Sequence, residues 1–201
     1  MATIYTDDPG VALMLAYQGG DEGSFDRLVE MYSSRVFALV TRFMGNHAGR
    51  EDLVQEVFMR LIRARERYQP AACFSTYLYR IAFNLCVNET QRAGSRRVVS
   101  IDAPVLGSKD DKTGFDFEDV ELAGPSDGLE RDDVVRKVRE AIASLPETQR
   151  MALILAKYHE LPYTEIALAM DSTEKAIKSL IHRGRERLRE LLAPYLEEEV
   201  A

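Results

Sequence analysis

Between Ser172 and Arg189 the chain carries Lys175, Lys178, Ser179, His182, Arg183, Arg185, Arg187 and Arg189 at spacings that return to one side of a helix. The stretch holds six Lys or Arg against two Glu, a local charge near +4. Such a row suits a polyanion, offering charge for phosphates and forked donors for base edges. Covalent chemistry finds no comparable set. There is no nucleophile beside a base and no GxxxxGK[ST] phosphate loop. His47 and His159 stand apart from each other and from His182. Cys73 and Cys86 lack the second Cys or His pair that a metal site needs, so buried thiols are expected. No catalysis by this chain alone, no metal and no cofactor is expected, and His182 reads as a phosphate or surface residue.

The basic row needs a support that holds it rigidly outward. Leu161 to Leu192 reads as two helices with a sharp break. Pro162 suits a first helical position. Ile166, Ala167 and Met170 recur at helical spacing, with Ala167 small where two helices must approach. Asp171 tolerates the left-handed backbone of a tight turn, and Ser172 or Thr173 can cap the next helix. Ile177, Ile181, Leu188 and Leu192 form the stripe that packs the basic helix down. This is a helix-turn-helix pattern with a polyanion-facing second helix.

The net charge of −7 does not oppose that reading, because of where the charge sits. Residues 1–97 are near +1, residues 98–133 near −8, and residues 134–201 neutral. Residues 98–133 also carry Pro104, Gly107, Gly114, Gly124, Pro125 and Gly128 and lack periodicity, so they read as a solvated acidic linker. On either side the text is helical and no strand is evident. The expected fold is all-α, with two small helical domains, 1–97 and 134–201, joined by the flexible linker 98–133. Expected helices run over Val11–Tyr17, Asp21–Phe43, Glu51–Arg67 (Leu53, Val54, Val57, Phe58, Leu61 and Ile62 inward), Thr76–Arg92, a stripe from Val134 to Leu145, and Thr148–Tyr158. No apolar run approaches the ~20 residues of a membrane span, and the acidic start lacks a signal peptide's pattern. A reducing cytoplasm without membrane insertion is therefore expected.

Four motifs, taken in order, resemble a known family. Ala16-Tyr17-Gln18-Gly19-Gly20-Asp21-Glu22-Gly23-Ser24-Phe25, Glu51-Asp52-Leu53-Val54-Gln55-Glu56-Val57-Phe58 and Phe74-Ser75-Thr76-Tyr77-Leu78-Tyr79-Arg80-Ile81-Ala82-Phe83-Asn84 resemble region 2 of extracytoplasmic-function sigma factors. Leu145-Pro146-Glu147-Thr148-Gln149-Arg150, with the helix-turn-helix, resembles region 4. The resemblance implies a bacterial transcription initiation factor of the sigma-70 family. It would bind core RNA polymerase at the β′ clamp helices and the β flap and direct it to promoter DNA, commonly under an anti-sigma factor. It also implies site roles: Asp52, Gln55, Glu56, Met59 and Arg60 for polymerase docking. Tyr68, Phe74, Tyr77, Arg80, Asn84, Arg92, Arg96 and Arg97 would serve the −10 element. Thr173, Glu174, Lys175, Lys178, Ser179, His182, Arg183 and Arg185 would serve the −35 element.

Read without the family, the Asp52 face is a solvated charged surface, Phe74 and Tyr77 are core residues, and Arg80 is an internal ion-pair partner. The chain departs from the family pattern where Tyr77 replaces a Trp, where Pro70-Ala71-Ala72 replace acidic or glycine loop residues, and where Leu180 occupies a commonly basic position. Leu180 would then pack on a thymine methyl or on the first helix of the pair. The competing reading is a partner- or ligand-gated helix-turn-helix repressor or activator that binds DNA as a dimer without polymerase.

Overall fold

The computed structural model describes residues 5, 7–45, 47–99 and 128–197. All regular structure among them is helical: α1 (Pro9–Gln18), α2 (Glu22–Met44), α3 (Arg50–Ala64), a 3₁₀ turn (Arg65–Arg67), α4 (Phe74–Val99), α5 (Gly128–Ser144), α6 (Glu147–Lys157), α7 (Tyr163–Ala169) and α8 (Glu174–Glu197). No helix among the described residues is long and apolar enough to cross a membrane. Residues 100–127, which hold most of the expected linker, lie outside the described residues.

The helix limits follow from local chemistry. Asp8 caps α1, its Oδ1 accepting from Gly10 N at 2.7 Å and Val11 N at 3.1 Å, with Pro9 in the first turn. Gly20, at φ +107°, makes the turn into α2, and Gly45, at φ +62°, ends it. The expected third helix splits: α3 stops at Ala64 and tightens into the 3₁₀ turn before Tyr68-Gln69-Pro70. Two linker limits also shift. α4 continues to Val99, and α5 begins at Gly128 rather than Val134, since no Gly or Pro intervenes between Leu129 and Leu145.

α1 to α4 form the first body. Val11, Met14, Leu28, Val36, Leu39, Phe43, Val57, Leu61, Phe74, Leu78 and Ala82 are fully buried within it. Ile62 departs from expectation: it is 37% exposed and joins Met59, 44% exposed, on the outer face of α3. Cys86 is buried and Cys73 half-buried, both free thiols.

α5 to α8 form the second body around Leu145, Met151, Ile154, Leu155, Ile166, Ile177 and Ile181. α8 lies against α6 at Gly184, where a Cβ would stand 2.7 Å from Leu153 Cδ1.

The bodies are not held apart. α7 packs on α4, and α6 on α2. Arg150 donates to Phe43 O at 2.8 Å and to Leu145 O at 3.0 Å, so one guanidinium satisfies carbonyls at the ends of α2 and α5. Thr76 Oγ1 donates to Glu165 at 2.6 Å, and Thr90 donates to Glu147. His159 is not isolated, as the sequence suggested. Its Nδ1 lies 3.0 Å from the Tyr79 hydroxyl and its ring stands edge-on to Tyr79 at 4.7 Å.

Candidate polymerase and nucleic-acid surfaces

The helix-turn-helix is built by α7 and α8. Met170 N closes α7 on Ile166 O, and Asp171 takes φ +50° to turn the chain. Ser172 N reaches back to Ala167 O at 2.9 Å. Of the two candidate caps the structure selects Thr173, whose Oγ1 accepts from Ala176 N at 3.2 Å. Ile177 and Ile181 are buried, while Thr173, Glu174, Lys175, Lys178, Ser179, His182, Arg183 and Arg185 are all exposed. Lys178, His182, Arg185 and Arg189 border a shallow groove that Tyr163 closes on one side. Glu174 hydrogen-bonds Lys178 at 2.7 Å, which raises the ammonium pKa. That pair is exposed, so DNA phosphates can replace the carboxylate at little cost. Leu180 is half-buried against the core, so it packs inward rather than onto a thymine methyl.

The second surface is the outer face of α3. Asp52, Gln55 and Met59 are exposed there, with Glu56 and Arg60 half-exposed beside them. Glu56 accepts from Arg60 at 3.1 Å and from Arg63 at 3.3 Å, and the Arg60 hydrogen bond is the main cause of its lowered pKa. The face therefore presents fixed carboxylates around the exposed apolar pair Met59 and Ile62. Charge at the edge and an apolar centre is the make-up of a protein-docking patch.

The third surface is the loop from Tyr68 to Cys73 and the face of α4 that follows it. Tyr77, Arg80 and Asn84 lie on one side of α4 at spacings of three and four. Arg80 and Asn84 are exposed and Tyr77 is half-buried. Arg92 is exposed further along; Arg96 and Arg97 continue the helix, but their side chains fall outside the described residues. Two expected stacking residues are not on the surface. Phe74 is fully buried, 5.0 Å from the Tyr32 ring, and Tyr68 is 4% exposed, edge-on to Tyr77 at 5.1 Å. Here both build the floor of the loop and have little face to offer a base. The burial of Phe74 follows from α1, which lies so close that a Cβ at Gly10 would stand 2.8 Å from Phe74 Cδ1.

The Tyr68 hydroxyl has no hydrogen-bond partner among the described residues, and burial pushes its pKa up. Tyr68, Gln69, Ala71, Ala72, Thr76, Tyr77 and Arg80 line a cleft of about 70 Å³ whose far wall is Leu168 of α7. Arg80 also stands 3.5 Å from Asp171. The ion pairing of Arg80 was one of the readings open from sequence; its partner Asp171 and the wall at Leu168 were not, because they lie far along the chain from the loop.

Two charge-bearing DNA-suited surfaces and one carboxylate-edged docking patch on paired helical bodies define a recognition protein. Comparison with known proteins agrees. Residues 28–96 match the family model described as Sigma-70 region 2, and residues 136–188 match Sigma-70, region 4. The chain is 31% identical over 193 residues to the RNA polymerase sigma-H factor of Pseudomonas aeruginosa, covering 96% of this chain and 98% of that one. It is 32% identical over 179 residues to the ECF RNA polymerase sigma-E factor of Escherichia coli K12, covering 89% and 92%. Two solved structures share the fold. One is the sigma factor RpoE with the anti-sigma factor NepR from Bartonella quintana (TM-score 0.62, 21% identity, 84% of this chain and 96% of that one). The other is CnrH with the cytosolic domain of CnrY (0.65, 20%, 93% and 99%). The chain belongs to the sigma-70 family, in its extracytoplasmic-function branch. It is a transcription initiation factor that serves core RNA polymerase at promoter DNA, and not an enzyme.

Proposed function

We propose a division of labour among the three surfaces. The α3 face, with Asp52, Gln55, Glu56, Met59 and Arg60, docks on the clamp helices of the polymerase β′ subunit. The Tyr68–Cys73 loop with Tyr77, Arg80, Asn84, Arg92, Arg96 and Arg97 holds the displaced −10 strand. There Tyr77 supplies the exposed ring edge, and Tyr68 and Phe74 supply the floor. The α8 face from Thr173 to Arg185 reads the −35 box in the major groove. The observation that carries this is the separation of chemistry: carboxylates and Met59 on α3, an aromatic and amide face on α4, and a face with a cationic excess on α8. The acidic segment between the bodies would lie along the cationic channel of the polymerase. The protein works in the cytoplasm and is held in check by an anti-sigma factor, a reading supported by the fold it shares with RpoE of Bartonella quintana, solved in complex with the anti-sigma factor NepR.

Transcription of fragmented genomic DNA with core polymerase tests the reading. Adding the chain should create discrete start sites. The double variant D52K/E56K should abolish them while its circular dichroism and melting remain those of the parent. Full activity of that variant would remove the α3 face from the polymerase interface.

A further inference from the structure

Helix α1 carries none of the residues assigned above to polymerase or DNA, yet it touches both ends of the −10 loop. At the loop's start, Gln18 Nε2 lies 2.9 Å from Arg65 O, 3.2 Å from Glu66 O and 3.2 Å from Tyr68 O. One primary amide thus gathers three carbonyls of the 3₁₀ turn and its exit, of which Arg65 O also accepts from Tyr68 N at 3.4 Å. Beside it the Arg65 guanidinium sits 4.2 Å over the Tyr17 ring and pairs with Glu22 at 2.6 Å. At the loop's end, Asp8 uses both carboxylate oxygens. Oδ1 caps α1, and Oδ2 accepts from Phe74 N at 3.1 Å, the first amide of α4. Gly10 lets α1 lie directly on Phe74 and Tyr32.

α1 spans ten residues, about 15 Å at 1.5 Å per residue, and so bridges the mouth of the loop. Between these two anchors the loop Gln69 to Cys73 has no regular structure of its own. We propose that Asp8 and Gln18 are positioning residues for −10 recognition: α1 is a brace that sets the spacing of the loop's two ends, and with it the shape of the base-binding cleft. This rests on the assignment of that loop to the −10 strand. A loop held only at one end would sample several cleft shapes, and binding would be reduced by the fraction not competent.

The variants follow from the bonding. Asp8→Asn keeps one oxygen and remains a good cap for α1. Its amide would then face Phe74 N–H, donor against donor. Gln18→Leu keeps the volume and removes both N–H donors that the three carbonyls share. Holoenzyme formed with each variant would transcribe fragmented genomic DNA, and start sites would be sequenced to give the −10 and −35 motifs. Both variants should bind core polymerase as the parent does and keep the −35 motif. Open-complex yield should fall about tenfold, with a blurred −10 motif.

A role confined to stability would lower all start sites in proportion and leave both motifs intact. That result, or unchanged yield, overturns the brace. Absence of any start site with the parent chain would instead refute the sigma-factor assignment of the surfaces.

Discussion

Acid should prise the two bodies apart through His159. The ring is half-buried against Tyr79 of α4, and Arg42 and Arg35 of α2 add positive charge nearby. Burial first, then those two arginines, push its pKa from 6.5 down to about 4. Its Nε2 is buried with no partner, so a proton added there would be unmet. Separation of the bodies returns the ring to water. Because the closed form has the lower pKa, its stabilisation by neutral His159 is complete above about pH 6.5. It is lost as pH falls from there toward 4. Linkage between values of about 6.5 and about 4 gives a loss of about 2 kcal/mol at pH 5, close to thirtyfold in the closed-to-open ratio.

The chain has only three histidines, so the imidazole signals in a nuclear magnetic resonance titration are few. Energy transfer between dyes at exposed Asn88 and Lys157, in a C73S/C86A background, would report closure. Glu165, Glu147 and Asp171 also lie where the two bodies meet, so the informative quantity is the difference between the parent and His159→Gln. That difference should grow as pH falls from 7.5 to 5. A His159 that titrates near 6.5, with identical pH profiles for parent and variant, would refute the argument.

Two further outcomes test the helix-turn-helix. Asp171→Val places a branched side chain at φ +50° and should destabilise the protein by about 1–2 kcal/mol in urea unfolding, whereas Asp171→Gly should be close to neutral. Equal effects would show that the Arg80 pair, not the backbone, governs the position. Lys178→Ala and Arg183→Ala should each weaken binding of holoenzyme to duplex carrying the −35 box. Each should also lower the slope of log affinity against log salt by about 1 if the contact is to phosphate. An unchanged slope with a changed box preference would place the residue on a base edge instead.

The helix-turn-helix was readable in the chain because each of its cues is local: Pro162 at a helix start, which the structure sets one residue before α7, Asp171 at a turn, Ser172 or Thr173 as a cap, Ile177 and Ile181 four apart. The outer face of α3 was readable for the same reason. What escaped was whatever depends on partners distant in sequence. α4 buries Leu78 and Ala82 but also Tyr79 and Phe83, so it shows two apolar sides, which a single helical stripe cannot describe. The half-burial of His159 and Arg150 escaped because their hydrogen-bond partners lie 80 and 107 residues away. Asp8 and Gln18 carried no periodic signal at all, and only the carbonyls and amide they reach give them meaning. Ile62 was placed inward by spacing, yet it lies three residues from Met59 on the outer face of α3, while its neighbour Leu61 fills the core.

Thr76 bonded to Glu165 has a geometric corollary. Boxes named for positions −10 and −35 are about 25 base pairs apart, roughly 85 Å of duplex at 3.4 Å per pair. A molecule whose α7 rests on α4 straddles no such span. Engaging both boxes therefore requires that the bodies part, and whatever free energy joins them is subtracted from promoter affinity, tenfold for each 1.4 kcal/mol. Strength of initiation in this chain is accordingly tunable by residues that never meet a nucleotide.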